Sequence, residues 1–212
     1  AAYTLLEESD IRSRLLHRDD FAYKGSMGNA LLIAGSYGMS GAAILASRAC
    51  LRSGAGKVTV HTPRKNYGIM QVSVPEAVLH MDHEETYFSE SVDSDDFDAL
   101  GIGPGLGQQE NTAIAFITQL KRAQCPVVVD ADGLNILANH RAWITQLPKG
   151  IILTPHPKEF DRLSSSPSNG SYERLHRAQE MAQSLHAYII LKGHYSALCM
   201  PNGHVVFNPT GN

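Results

Sequence analysis

Apolar residues in this chain fall into two alternating patterns, short continuous runs and longer stretches at helical spacing. Ala30-Leu31-Leu32-Ile33-Ala34 is wholly apolar and ends at Gly35, as a strand buried on both faces should. From residue 41 to 53 small and apolar residues recur at helical spacing (Ala42, Leu45, Ala46, Ala49, Cys50), which predicts a helix with Ser40 as its N-cap. Further strands are predicted over 57–61, 100–102, 126–129, 151–153 and 188–191. Helices are predicted over 111–123 and 172–186, the second capped by Ser171. The tail 196–207 reads as a hairpin around Pro201-Asn202-Gly203. Residues 81–98 are acidic and serine-rich and predict a surface excursion, and 164–171 predict a second polar loop. Strand–helix alternation of this kind predicts an α/β fold, a largely parallel sheet covered on both faces.

The remaining composition narrows the partners more than the fold. At 212 residues the chain suits one large domain or at most two small ones, and 43% hydrophobic with 18% charged residues is ordinary for a globular protein. A formal net charge of -3 supplies no positive field for nucleic acid or an anionic membrane, so neither is an expected partner. An anionic ligand must be met locally, by backbone N–H groups and a few lysines. Cys50, Cys125 and Cys199 are odd in number and widely spaced in apolar runs, and read as core thiols of a reducing compartment. No apolar run reaches membrane-spanning length and the polar start is unlike a signal peptide, so a cytoplasmic location is expected.

In an open parallel sheet, ligands bind at the carboxyl ends of the strands, and the unusual clusters of this chain fall there. Gly35-Ser36-Tyr37-Gly38-Met39-Ser40-Gly41 follows the first strand and opens a helix, as either an anion-binding terminus or a flexible turn. It has neither P-loop nor dinucleotide-fingerprint spacing. Gly101-Ile102-Gly103-Pro104-Gly105-Leu106-Gly107 places four glycines and one stiffening proline in seven residues, a shaped backbone wall suited to a planar ligand or a phosphate. Asp130-Ala131-Asp132, with Asn135 one turn on, offers carboxylates that can hold Mg²⁺ through water, orient a hydroxyl, or cap the next helix. Thr154-Pro155-His156-Pro157 fixes the backbone of a histidine between two prolines and leaves its ring free to face ligand or solvent. Lys192-Gly193-His194-Tyr195-Ser196 supplies a lysine and hydroxyls for phosphate, with a glycine that lets the chain pass close to a nucleotide. The His80 to Glu85 stretch is the weakest candidate for a metal patch, since it sits in the acidic excursion.

Taken together, the chain resembles the ribokinase-like NAD(P)H-hydrate dehydratases. The resemblance rests on Lys24-Gly25-Ser26-Met27-Gly28, residues 35–42, Gly103-Pro104-Gly105-Leu106-Gly107, Asp130-Ala131-Asp132, residues 153–160, Leu191-Lys192-Gly193 and Asn208-Pro209-Thr210-Gly211-Asn212, in that family's order. It implies a three-layer αβα sandwich around a mainly parallel sheet, forming a single ribokinase-like domain over 1–212. It implies an ADP- or ATP-dependent dehydration of NADH or NADPH hydrate, with Mg²⁺ alongside the nucleotide. Ala42, Gly105 and His156 would line the hydrate site, with Asn135 and Glu159 as weaker candidates between the two ligands. Lys192, Gly193, His194, Tyr195 and Ser196 would hold the adenine nucleotide. A homotetramer and a fused or separate NAD(P)H-hydrate epimerase are the implied partners. Family members continue past the Thr-Gly-Asn turn into a Gly-Ser-Gly-Asp segment that supplies the anion hole and the catalytic base. That aspartate is therefore expected beyond Asn212, and the chain as written is expected to bind its ligands while being nearly silent catalytically. Two rivals share the equipment, a kinase for a small vitamin or sugar and a non-catalytic nucleotide-binding fragment.

Overall fold

The computed structural model of this chain describes residues 3–210. The last two residues of the Thr-Gly-Asn turn, Gly211 and Asn212, lie outside the described residues. The chain order is β1 (Tyr3–Leu5), α1 (Glu8–Arg12), β2 (Asn29–Ile33), α2 (Ser40–Arg52), β3 (Lys57–Thr62), α3 (Tyr67–Ser73), β4 (Val78–Met81), β5 (Ala99–Ile102), α4 (Glu110–Arg122) and β6 (Val127–Val129). It continues with α5 (Asp132–Asn139), β7 (Ile152–Leu153), α6 (Pro157–Leu163), α7 (Ser171–Leu185), β8 (Tyr188–Leu191), β9 (Ser196–Cys199) and β10 (Val205–Asn208). The ten strands form one sheet in the order β1-β10-β9-β8-β7-β6-β5-β2-β3-β4. Only β9 runs against the rest, pairing antiparallel with β8 and β10, and β9–β10 is the hairpin predicted around Pro201. The fold class is the expected α/β, with the carboxyl ends of β2 and β5 to β8 side by side.

Alternation along each strand divides the side chains between two faces. Leu31 and Ile33 of β2, Leu100 and Ile102 of β5, Val127 and Val129 of β6 and Ile189 of β8 are buried in the larger core. Helices α4 to α7 close that face with Phe116, Leu120, Leu134, Phe160 and Ala178. Helix α4 suits the task. Its buried residues run along one stripe, with Glu110 in its first turn and Lys121 and Arg122 in its last to complement the helix dipole. On the opposite face Val58 and Val60 of β3 pack with Ala43 of α2 and Met70 and Val74 of α3. The helical layer on this side extends only over the β2–β4 end. Val128, Ile152, Ile190 and Leu198 on the remaining strands are half-buried.

Element positions follow the sequence pattern closely, and the differences have local causes. Met39 and Gly170, not Ser40 and Ser171, occupy the cap positions of α2 and α7; the serines are the first helical residues and make no capping bond. Residues 81–98 are not a surface excursion. Phe88 and Asp82 are fully buried, and α4 ties the segment down through Thr112 Oγ1 donating to the Phe88 carbonyl and Gln119 bonding both polar groups of Val92. The acidic, serine-rich composition hid a segment in which Asp82 and the backbone at Phe88 and Val92 find partners inside the protein. The cysteines are free, Cys199 buried and Cys50 and Cys125 half-buried. Among the described residues no helix is long and apolar enough to cross a membrane.

Candidate functional site

Glycine geometry brings the two glycine loops into contact. Gly35 donates its amide to the Pro104 carbonyl at 2.8 Å. A Cβ on Gly105, whose φ is +66°, would lie 2.7 Å from Ala42 Cβ and 3.1 Å from the Met39 carbonyl oxygen. Ala42 and Gly105, predicted to share a site, therefore form one wall that only glycine permits. Gly103 is equally constrained: at φ +130° its Cβ would fall 1.9 Å from the Asp130 carbonyl oxygen, so the wall is locked to the end of β6.

The β6 end is strained. Ala131 sits at φ 49° and ψ -117°, a conformation that costs a non-glycine residue on the order of 1–3 kcal/mol and is tolerated where the surroundings over-determine it. It turns the two neighbouring carboxylates to different tasks. Asp132 accepts from the Gly107 amide at 2.9 Å and from Gln108 Nε2 at 3.2 Å, so it fastens the glycine wall and caps nothing. Asp130 accepts from Lys192 Nζ at 2.6 Å. The Lys192 amide in turn donates to the Pro155 carbonyl at 2.9 Å, and Thr154 donates its amide to Val129. The ends of β2, β5, β6, β7 and β8 are thus cross-linked in series, with Gly105, His156 and Lys192 all on that edge.

His156 departs from its expectation. Its Nδ1 accepts from the amides of Lys158 and Glu159 at 3.2 and 3.3 Å, while Glu159 reaches back to the His156 amide at 2.8 Å. This is a reciprocal cap on α6 with Pro157 as its first residue, so Nδ1 is engaged while the side chain stays about half exposed. Glu159 is buried by the same arrangement. Asn135 is held between Asp132 and Arg162, whose guanidinium donates to Asn135 Oδ1 at 2.6 Å.

Beside Lys192 lies an open hollow of about 360 Å³. Lys192, Gly193, His194 and Tyr195 line it; Ser196 opens β9 outside the lining. The other wall, Tyr172, Arg174 and Leu175 from the start of α7, was not anticipated, although one helical face of 171–178 carries it. Arg174 forms a two-pronged pair with Asp161 at 2.9 and 2.8 Å; its hydrogen bonds hold the Asp161 carboxyl below its usual range, and Asp161 raises Arg174 in return. A second, apolar groove of about 580 Å³ runs between α2 and the sheet. Pro104, Asp130, Thr154 and Lys192 stand in its lining, so Lys192 borders both spaces.

With this geometry in view, residues 30–212 match the family model described as NAD(P)H-hydrate dehydratase. This chain belongs to the NAD(P)H-hydrate dehydratase family. The ADP-dependent (S)-NAD(P)H-hydrate dehydratase of Bacillus subtilis (strain 168) is 35% identical over 206 residues, covering 97% of this chain and 72% of that protein. The bifunctional NAD(P)H-hydrate repair enzyme Nnr of Moorella thermoacetica is 36% identical over 217 residues, covering 98% of this chain but only 41% of that protein. The chain therefore spans less than half of the bifunctional relative. Among solved structures, the ADP/ATP-dependent NAD(P)H-hydrate dehydratase of Bacillus subtilis co-crystallised with ATP/Mg²⁺ superposes with a TM-score of 0.85 at 34% identity, over 99% of this chain and 73% of that one. A ribokinase-like superfamily protein from Enterococcus faecalis V583 gives 0.84 at 25% identity, over 100% of this chain and 73% of that one.

Family membership directs attention to what this chain offers a metal. Asp130 is neutralised by Lys192 and Asp132 is spent on the glycine wall. Among the described residues no group of three or more His, Cys, Asp or Glu side chains is placed to hold an ion, the His80 to Glu85 stretch included. That stretch stands at a strand end: His80 lies in β4 and Asp82 directly follows it.

Proposed function

We propose that this chain serves the ADP- or ATP-dependent dehydration of (S)-NAD(P)H hydrate, a repair of damaged nicotinamide cofactor, as the part that binds hydrate and nucleotide. The observation that carries the reading is the serial cross-link of strand ends from the Ala42–Gly105 wall through Asp130 to Lys192, which sets a narrow planar wall and a cation side by side. The hydrated ring lies against Ala42, Gly105 and His156, with Asn135 and Glu159 between the two ligands. The adenine nucleotide occupies the hollow formed by Lys192, Gly193, His194 and Tyr195, whose aromatic rings give a base a surface to stack on. Ser196 adds a hydroxyl at its edge.

The chemistry asks little covalent work of the protein. The ring hydroxyl gives up its proton and takes the terminal phosphoryl group, releasing AMP from ADP or ADP from ATP; this turns a poor leaving group into a good one, and phosphate departs as the adjacent ring carbon loses a proton and the double bond is restored. Positioning and charge stabilisation supply most of such a rate enhancement. Lys192 serves both, as a cation fixed by Asp130 at the junction of the two spaces. Mg²⁺ would be carried by the nucleotide's phosphates and would offset charge on the group being transferred. A cytoplasmic homotetramer working beside a fused or separate epimerase completes the proposal.

The test is a panel of NADH hydrate, NADPH hydrate and small sugar and pyrimidine alcohols, each offered with ADP or ATP and followed by calorimetry and phosphate release. Preferential binding of a hydrate, with phosphate released in step with recovered dihydronicotinamide absorbance, supports the proposal. Phosphorylation of an alcohol in preference to a hydrate refutes it.

A further inference from the structure

Asp82 is a carboxylate with no exposed surface, immediately after β4. Burying an ionised carboxylate costs several kcal/mol unless donors replace the lost water. Here they do. His61 Nε2 lies 2.9 Å from Oδ2, the Glu84 and Ser89 amides donate at 2.8 and 2.9 Å, and Ser89 Oγ donates to Oδ1. His61 is itself buried in β3 and its Nδ1 meets His80 Nδ1 at 2.8 Å, so the ring is oriented from both ends. A plain surface turn would not require this arrangement. The hydrogen bonds specify one conformation of residues 82–89.

That loop does more than close on itself. Its backbone carbonyls accept from the two neighbouring strand ends: Arg64 donates to Glu84 at 3.2 Å, Lys65 to Glu85 at 3.0 Å, and Tyr37 to Thr86 at 2.8 Å. Arg64 also sends its Nε to the Asp82 carbonyl at 3.0 Å. Tyr37 lies in the 35–41 loop, two residues before Met39, whose carbonyl faces Gly105. The Lys65 ammonium sits 5.1 Å over the Tyr37 ring, a second link across the same gap. Contact runs without a break from the buried carboxylate to the wall against which the hydrate is proposed to lie.

We infer that Asp82 is a positioning residue for the nicotinamide-side ligand, acting through the 82–89 loop and the Tyr37 amide to set the 35–41 loop against Gly105. The assignment of that wall to the hydrate rests on the proposed function; the mechanical coupling does not. Asp82 touches no ligand and has no part in holding the nucleotide, because Lys192 and the hollow beside it stand at the other end of the row of strand ends.

The experiment uses the full chain and its Asp82→Asn variant, with NADPH and ATP as separate probes in calorimetry and hydrogen exchange read at single amides. In Asp82→Asn, NADPH affinity falls about tenfold while ATP affinity stays within twofold, and exchange at Tyr37 quickens at least tenfold with the Lys192 and Gly193 amides unchanged. Equal losses for both ligands, or unchanged exchange at Tyr37, overturn the inference. Should Asp82→Asn fail to fold, Ser89→Ala, which removes one of the donors, must show the same selective pattern in milder form; a uniform loss there overturns it equally. If the wild-type chain binds ATP but not NADPH while Asp82→Asn still frees the Tyr37 amide, the coupling stands and the ligand assignment falls.

Discussion

Replacing Gly105 with alanine should damage this protein by two separable amounts. The first is conformational: an L-residue at φ +66° costs about 1–2 kcal/mol relative to glycine. The second is contact. A methyl group 2.7 Å from Ala42 Cβ and 3.1 Å from the Met39 carbonyl lies well inside van der Waals distance, so the two loops must part by about 1 Å, and overpacking of this kind costs about 1–3 kcal/mol. The expected destabilisation is therefore about 2–5 kcal/mol, read as a lower urea midpoint at constant slope. Gly107→Ala is the internal control. Its φ is +77°, but nothing lies within 4 Å of the added Cβ, so only the first cost of about 1–2 kcal/mol applies. Ala42→Gly combined with Gly105→Ala should recover the contact part, with the double-mutant cycle removing the helical cost of the new glycine in α2. Because the parted loops are the proposed ring wall, NADPH affinity in Gly105→Ala should drop at least tenfold while ATP affinity holds. If Gly105→Ala is no less stable than Gly107→Ala, or if NADPH binds it as tightly as wild type, the close-contact account of this wall is wrong.

Three further outcomes follow from the same geometry. Lys192→Met should weaken ATP binding by about tenfold or more, since a hydrogen bond to a charged group contributes about 1.5–3 kcal/mol, and calorimetry showing no change would remove Lys192 from the nucleotide site. His156→Ala should lower stability by about 1 kcal/mol through loss of the α6 cap, whereas His156→Asn should retain most of it; equal urea midpoints for wild type and His156→Ala would contradict the capping role. Burial alone would raise the Asp82 carboxyl, but hydrogen bonds from His61, Ser89 and Glu84 outweigh it and hold the group at about 2, against an ordinary 3.8. A depressed carboxylate stabilises the fold above its unfolded value, so about 2 kcal/mol should be present above about pH 4 and fade as the pH falls towards 2. Acid unfolding of Asp82→Asn should lack that component, and identical pH profiles would exclude it.

Much of the fold was legible because its strands are buried and short: the runs at 30–34, 57–61 and 188–191 could only be strands, and each is found within a residue or two of its expected ends. Strands β1 and β4 and helices α1, α3, α5 and α6 fall outside the predicted elements, and for α3 and β4 the pattern is weak. Helix α3 has Ile69 and Val72 on its exposed side, so its periodicity is blurred, and β4 lies at an edge with Val78 exposed. Residues 81–98 were misjudged because composition does not reveal that Asp82, Thr112 and Gln119 find their partners inside the protein. At the site, glycine spacing predicted a shaped backbone, and Gly105 is packed closely against Ala42. The bonds made by individual rings and carboxylates were not readable. Nothing in Thr-Pro-His-Pro distinguishes a histidine turned to a ligand from one folded back onto its own helix, and Asp130 and Asp132 differ only through the turn at Ala131.

Simultaneous occupancy by two adenylate-bearing molecules is the most direct test of the account. ATP should be titrated into the chain with and without saturating NADPH, and the stoichiometry and heat compared. The account predicts one molecule of each bound at once, with ATP affinity undiminished by NADPH. Mutual exclusion, with NADPH displacing ATP from the hollow beside Lys192, would show a single shared site and contradict it.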